Sequence, residues 1–232
     1  MSDIRVKGFD DITFWREDSI GLIVIRSSSE GRIRRKTMEE LMMALSSASI
    51  DSSIGSIAIT GQNDLFFKDI VSNEADDLPA LLESLRALAS VLYSIDKPTF
   101  TILNGDATDL GYELALLTDI IISSPKVTVG FSREYNCKMA GSLSSLRFRS
   151  AELGGSMEGV NCDYVFKYDN LLGDAKNRIS GLENPRLALS RRNRLRFIKE
   201  AITEEHLMLL AKSSISKDKN VLNVPAGKEG VN

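Results

Sequence analysis

Histidine is almost missing from this chain: His206 is the single one in 232 residues. A Ser–His–Asp relay or a two-histidine zinc site would have to be built around it. It follows Thr203-Glu204-Glu205, which reads as a helix cap with an acidic first turn. Proton chemistry therefore falls to carboxylates and backbone amides, and no metal site is expected. Cysteine is scarce too. Cys137 and Cys162 make no disulfide framework and read as inert thiols of a reducing compartment. No apolar run approaches the roughly 20 residues that span a bilayer. The opening MSDIRVKGFDD has no signal-peptide core, so a cytoplasmic location without a membrane partner is expected. An excess of one charge is lacking as well. A net charge of -3 argues against nucleic acid, whose non-specific binding needs a broad basic surface.

What is present is ordinary globular material: 43% hydrophobic and 26% charged residues, enough for one domain with a sizeable core. Ile20 to Arg26 (IGLIVIR) is a β-branched run expected as a buried strand. Thr37-Met38-Glu39-Glu40 reads as a capping box, with Thr37 as N-cap and Glu40 reaching back. The helix it opens places Met38, Leu41, Met42 and Leu45 on one face. Ser56 to Thr60 is the next strand, ended by Gly61. Leucines 78, 81, 82, 85, 88 and 92 then fall at helical spacing until Lys97-Pro98 stops the run. Thr99 to Leu103 is a strand, followed by the Asn104-Gly105 turn, a short helix through Glu113 to Thr118, and a strand over Asp119 to Ser123. The repeat of strand, helix and strand predicts an α/β architecture. Asn136 to Gly159 is rich in Gly and Ser. Asn184-Pro185 marks a helix start, a last helix covers about Glu204 to Lys212, and the chain turns polar from Ser216.

The stretch Lys97-Pro98, Asn104-Gly105, Gly111-Tyr112-Glu113-Leu114-Ala115-Leu116 and Asp119 resembles the crotonase superfamily, the enoyl-CoA hydratase/isomerase family. IGLIVIR, MEELMMAL and SIAITG match the flanks, and Gly130, Gly141 and Arg147 fall in its central segment. Asp163 to Phe166 and Asn184-Pro185-Arg186-Leu187-Ala188-Leu189 resemble its later strand and helix. The resemblance covers most of residues 10–200. It implies a spiral of ββα units: a crotonase-like core over 1–183, a C-terminal helical trimerisation region over 184–215 and a polar tail over 216–232. It also implies a homotrimer or hexamer acting on an acyl-coenzyme A thioester, with no cofactor beyond the coenzyme A of the substrate. In such a site two backbone N–H groups hold a thioester enolate oxygen, and carboxylates move protons at the acyl carbons.

Carried over residue by residue, the resemblance makes Glu113 the proton-shuttling carboxylate. It places the two oxyanion amides at Lys68 and Leu110, and coenzyme A against Arg32, Ile33, Arg34, Phe66 and Ile70. Arg35 and Lys36 extend that basic run, and guanidinium forks suit phosphate. The chain departs from the family in four places. Arg133 stands at the second acid position, where it would hold Glu113 ionised and make it a poorer proton donor. Asp109-Leu110-Gly111 replaces three glycines, with Asp109 read as a helix N-cap. Larger residues fill the loop Leu65 to Ile70. The segment 154–158 is compressed. Classical hydration, which needs two cooperating carboxylates, is therefore disfavoured. The expectation is enolate chemistry with Glu113 as its single shuttle; the alternative is a catalytically inactive acyl-CoA-binding or assembly protein on the same scaffold.

Overall fold

The computed structural model describes residues 8–70, 78–132 and 162–182. In chain order the elements are β1 (Ile12–Glu17), β2 (Ile20–Ile25), β3 (Arg32–Ile33), α1 (Arg35–Ile50), β4 (Ser56–Gly61), β5 (Asp69–Ile70), α2 (Leu78–Ser94), β6 (Thr99–Leu103), β7 (Ala107–Thr108), α3 (Leu110–Leu117), β8 (Ile120–Ser123), β9 (Val129–Gly130), β10 (Tyr164–Val165) and α4 (Leu171–Ser180). The main sheet runs β1-β2-β4-β6-β8-β10. Only β1 is antiparallel, joined to β2 by a tight hairpin whose Asp18 sits at φ 52°. Two small parallel ladders, β3-β5 and β7-β9, stand apart from it. This is the α/β architecture expected from the strand–helix repeat.

Why the strands read as unbroken apolar runs is clear from their faces. On one side Ile23, Ile25, Ile57, Ile59, Leu103 and Ile121 pack with side chains of α1, α2 and α3. On the other, Leu22, Ala58, Phe100, Ile102 and Ile122 meet Leu171, Ala175 and Ile179 of α4. A parallel sheet covered on both faces has no polar alternation to display. Strand β1 and helix α4 were not anticipated from the sequence. The expected C-terminal helices and the 216–232 tail lie outside the described residues. Among the described residues, no helix is long and apolar enough to cross a membrane.

The start of α1 corrects one sequence expectation. The helix begins at Arg35, not after Thr37. Thr37 sits inside its first turn, where its hydroxyl accepts the Arg34 N–H at 3.1 Å. Glu40 does not reach back along the helix. Its carboxylate accepts the N–H groups of Asp10 and Asp11 at 3.1 and 2.7 Å, tying the chain ahead of β1 to α1. Tertiary partners outcompeted the local box. Lys97, expected only to end a helix, donates its ammonium to the Ala48 carbonyl at 2.7 Å and so satisfies the tail of α1.

Asp11 is the hub of this corner. Arg34 Nε donates to it at 2.9 Å, with Nη2 on the second oxygen, and the Thr37 hydroxyl donates at 2.8 Å. Burial pushes the Asp11 carboxyl up, but the Arg34 and Thr37 hydrogen bonds and the Arg34 charge outweigh it and hold it below its ordinary value of 3.8. A depressed folded-state value means stability that is present above the unfolded value and lost as pH falls through the folded one. The chain is expected to lose stability below about pH 4. Asp11→Asn should flatten that part of a urea-midpoint-against-pH curve. An unchanged curve would mean the acid sensitivity arises elsewhere.

Candidate functional site

The site expected from sequence lies where the loop after β4 crosses the turn between β6 and α3. Asn104 sets the floor: its carboxamide donates to the Gly61 carbonyl at 2.8 Å and accepts the Gly61 N–H at 3.1 Å. That pair of bonds locks the ends of β4 and β6 together. From there Gln62 to Lys68 folds back over the turn. Asn63 and Asp64 take φ 54° and 58°, a left-handed pair that Asn and Asp tolerate better than other side chains.

The segment then presses onto the turn with its own backbone. A β-carbon added to Gly105 would lie 2.6 Å from both the Asp64 oxygen and the Phe66 nitrogen. At Gly111 an added β-carbon would fall inside the envelope of the Phe67 carbonyl oxygen. At both glycines the space a side chain would take is filled by the chain's own backbone. Phe66 and Phe67 are each 2% exposed, with ring centroids 5.0 Å apart.

The two expected oxyanion donors fare differently. The Lys68 N–H donates to the Gly31 carbonyl at 2.7 Å, the bond that starts the β3-β5 ladder, and is spent there. Its own carbonyl accepts the Gly111 N–H at 3.3 Å. Joining the loop to the β3-β5 ladder takes up that amide. Leu110 opens α3, and its buried side chain lines a void of about 10 Å³ together with Phe67, Leu114, Met38 and Leu88. Such a void holds at most about one water. Glu113 does occupy the first turn of α3, as expected, and is 1% exposed. Among the described residues, Glu113 is in the wall of none of three cavities of about 10, 380 and 410 Å³.

Asp109 stands at the helix cap position but does not cap. At φ 52°, ψ -112° its side chain turns away, and Oδ1 accepts the Ser132 N–H at 2.7 Å. An L-residue in that region stores on the order of 1–3 kcal/mol of strain. Arg133, the altered second acid position, lies outside the described residues.

An open cavity of about 380 Å³ flanks the solvent side of the segment, walled by Ser29 to Gly31, Asp64 to Phe66, Lys68, Asn104 to Asp106, Lys126 and Val127. Of the five expected coenzyme contacts only Phe66 lines it. Ile33 and Ile70 are buried as the paired ends of β3 and β5. Arg32 sits 3.5 Å from Glu30, and Arg34 is drawn away to Asp11. Its charged lining is mixed: Lys68, whose ammonium sits 3.1 Å from Asp106, and Lys126 face the carboxylates of Glu30, Asp64 and Asp106. The Thr128 N–H beside Asp106 holds its carboxyl below the usual range; burial opposes this and Lys68 assists. Sequence reading missed Lys126 and the side chain of Lys68, because nothing local to 124–128 or 64–68 announces that the two loops meet. A second cavity, about 410 Å³, opens on the far side of the Asn63-Asp64 turn beside the start of α4.

The family model described as enoyl-CoA hydratase/isomerase matches residues 16–135. A 2,3-dehydroadipyl-CoA hydratase of Escherichia coli is 29% identical over 126 residues, 50% of this chain and 49% of that protein. A probable mitochondrial enoyl-CoA hydratase of Dictyostelium discoideum is 33% identical over 128 residues, 53% of this chain and 46% of that protein. The chain thus spans about half the length of the curated relatives it matches. Among solved structures, an enoyl-CoA hydratase from Bacillus anthracis superposes with a TM-score of 0.66 at 15% identity, covering 89% of this chain and 90% of that one. An enoyl-CoA hydratase from Mycobacterium avium subsp. paratuberculosis gives 0.64 at 13% identity, covering 95% and 97%. At these identities the superpositions establish the fold and nothing finer.

Proposed function

From the premise that the chain belongs to the enoyl-CoA hydratase/isomerase family, we propose that it binds coenzyme A, free or as a thioester, without turning the thioester over through an enolate. The observation that carries this reading is the Lys68 N–H, committed to the Gly31 carbonyl at 2.7 Å. Enolate catalysis needs amides already aimed at the developing oxygen, and losing one such donor costs on the order of 10²–10³ in kcat. Recognition would fall to the cavity beside Lys68 and Lys126: the ammonium of Lys126 would take a coenzyme phosphate, and that of Lys68 would have to be shared with Asp106, with Glu30 and Asp64 limiting the affinity. A trimeric or hexameric assembly belongs to the same proposal and is read by light scattering.

Calorimetric titration with coenzyme A and hydration of crotonyl-CoA test the two halves separately. Saturable binding is expected, weakened about three- to tenfold by Lys126→Ala and further by salt. Hydration is expected to stay at the background rate, with Glu113→Gln no slower than the parent. A robust turnover abolished by Glu113→Gln would restore the single-shuttle enzyme reading. Absence of any binding would reduce the chain to a scaffold.

A further inference from the structure

We infer that Phe67 and Leu110 close the space an acyl group would need, so the protein recognises the coenzyme and is blind to the acyl chain. This deepens the coenzyme-binding reading and rests on it. Among the described residues, the tail of a carbonyl held near the amide of Leu110 would meet the Asp64–Lys68 segment or the layer between α1, α2 and α3. That layer is full. The void it holds beside Leu110 is about 10 Å³, bounded by Ile25, Ile33, Met38, Phe67, Leu110 and Leu114. Even an acetyl tail exceeds the single water such a void could hold.

The segment has no slack to give. Its backbone lies against Gly105 and Gly111 closer than any side chain could. It is tied by the Lys68 N–H to Gly31, by the Ser27 hydroxyl to the Phe66 carbonyl at 3.1 Å, and by the Gly111 N–H to the Lys68 carbonyl. Swinging it outward would expose two phenyl rings that are now 2% exposed. Their burial alone disfavours the open form roughly 10²- to 10⁴-fold. The closure is therefore a built-in plug, and the coenzyme arm on its solvent side is untouched by it.

The test is a calorimetric series on the full chain with coenzyme A and its acetyl, butyryl and hexanoyl thioesters. The parent protein is expected to bind all four within about threefold of one another. A Phe67→Ala/Leu110→Ala double variant should gain a preference for butyryl-CoA over coenzyme A of about tenfold or more, since each buried methylene is worth about fourfold. Its affinity for coenzyme A itself should stay within about threefold. A parent preference for butyryl-CoA of tenfold or more would overturn the inference. So would a folded double variant with no gained preference. Should the double variant fail to fold, the flat series on the parent still decides the matter. Failure of all four ligands to bind would instead refute coenzyme recognition, and this inference with it.

Discussion

Gly111→Ala is expected to lower the free energy of unfolding by about 3–5 kcal/mol, measured by urea titration. On helix propensity alone the sign would be opposite, because Ala exceeds Gly by up to about 1 kcal/mol inside a helix. What reverses it is the Phe67 carbonyl, which occupies the space the new methyl needs. Backbone cannot rotate away as a side chain end can, so either the 64–68 segment lifts or α3 moves. Lifting the segment breaks the Gly111-to-Lys68 hydrogen bond and uncovers Phe67. Gly181→Ala is the matched control. That glycine caps α4 at φ -81°, ψ -9°, and its nearest prospective contact is 3.5 Å. It should be neutral or stabilising by about 0.4–1 kcal/mol. If Gly111→Ala behaves like the control, the segment does not lie on the turn. A glycine kept only for ligand access would show its loss in affinity, leaving the unfolding midpoint alone.

That contrast explains why the fold was legible and the site only partly so. Runs such as Ile20–Ile25 and Thr99–Leu103 are set by burial on both faces, and their composition states it directly. Helix α3 was legible because its eight residues are all buried and closely patterned. Strand β1 was not. Its alternation is interrupted by Arg16 and Glu17, which a hairpin edge tolerates. Helix α4 carries only three buried positions, Leu171, Ala175 and Ile179, among charged residues. At the site, Glu113 and the Asn104-Gly105 turn fall where the motif put them. The hydrogen bonds of Lys68 and Arg34 go to Gly31 and Asp11, partners more than 20 residues away. Sequence position predicts a residue's element; it does not predict which of several acceptors captures its proton.

Asp119→Ala is expected to cost about 2–4 kcal/mol, from the loss of an acceptor for two buried donors. The Asp119 carboxylate accepts the Thr99 N–H at 2.7 Å and the Thr99 hydroxyl at 3.0 Å, while its own N–H donates to the Thr99 carbonyl at 2.9 Å. Thr99 is fully buried, so no water can substitute for the missing oxygen. The same clamp recurs one strand later. Asp163 Oδ2 accepts the Ile121 N–H at 2.7 Å, and the Asp163 N–H donates to the Ile121 carbonyl at 2.9 Å. Each aspartate stands just before its strand and grips the neighbouring strand already in the sheet, fixing the register of β8 on β6 and of β10 on β8. The two sites differ in exposure: Asp119 is 5% exposed, whereas Asp163 faces solvent. Water can replace part of the second clamp, so Asp163→Ala should cost about 1 kcal/mol or less. Equal losses in the two variants would show that desolvation does not set the energy. The unequal losses expected here mean that Asp119, like Asn104 and Gly111, holds the sheet and turn together, so these residues of the motif are accounted for by the fold alone.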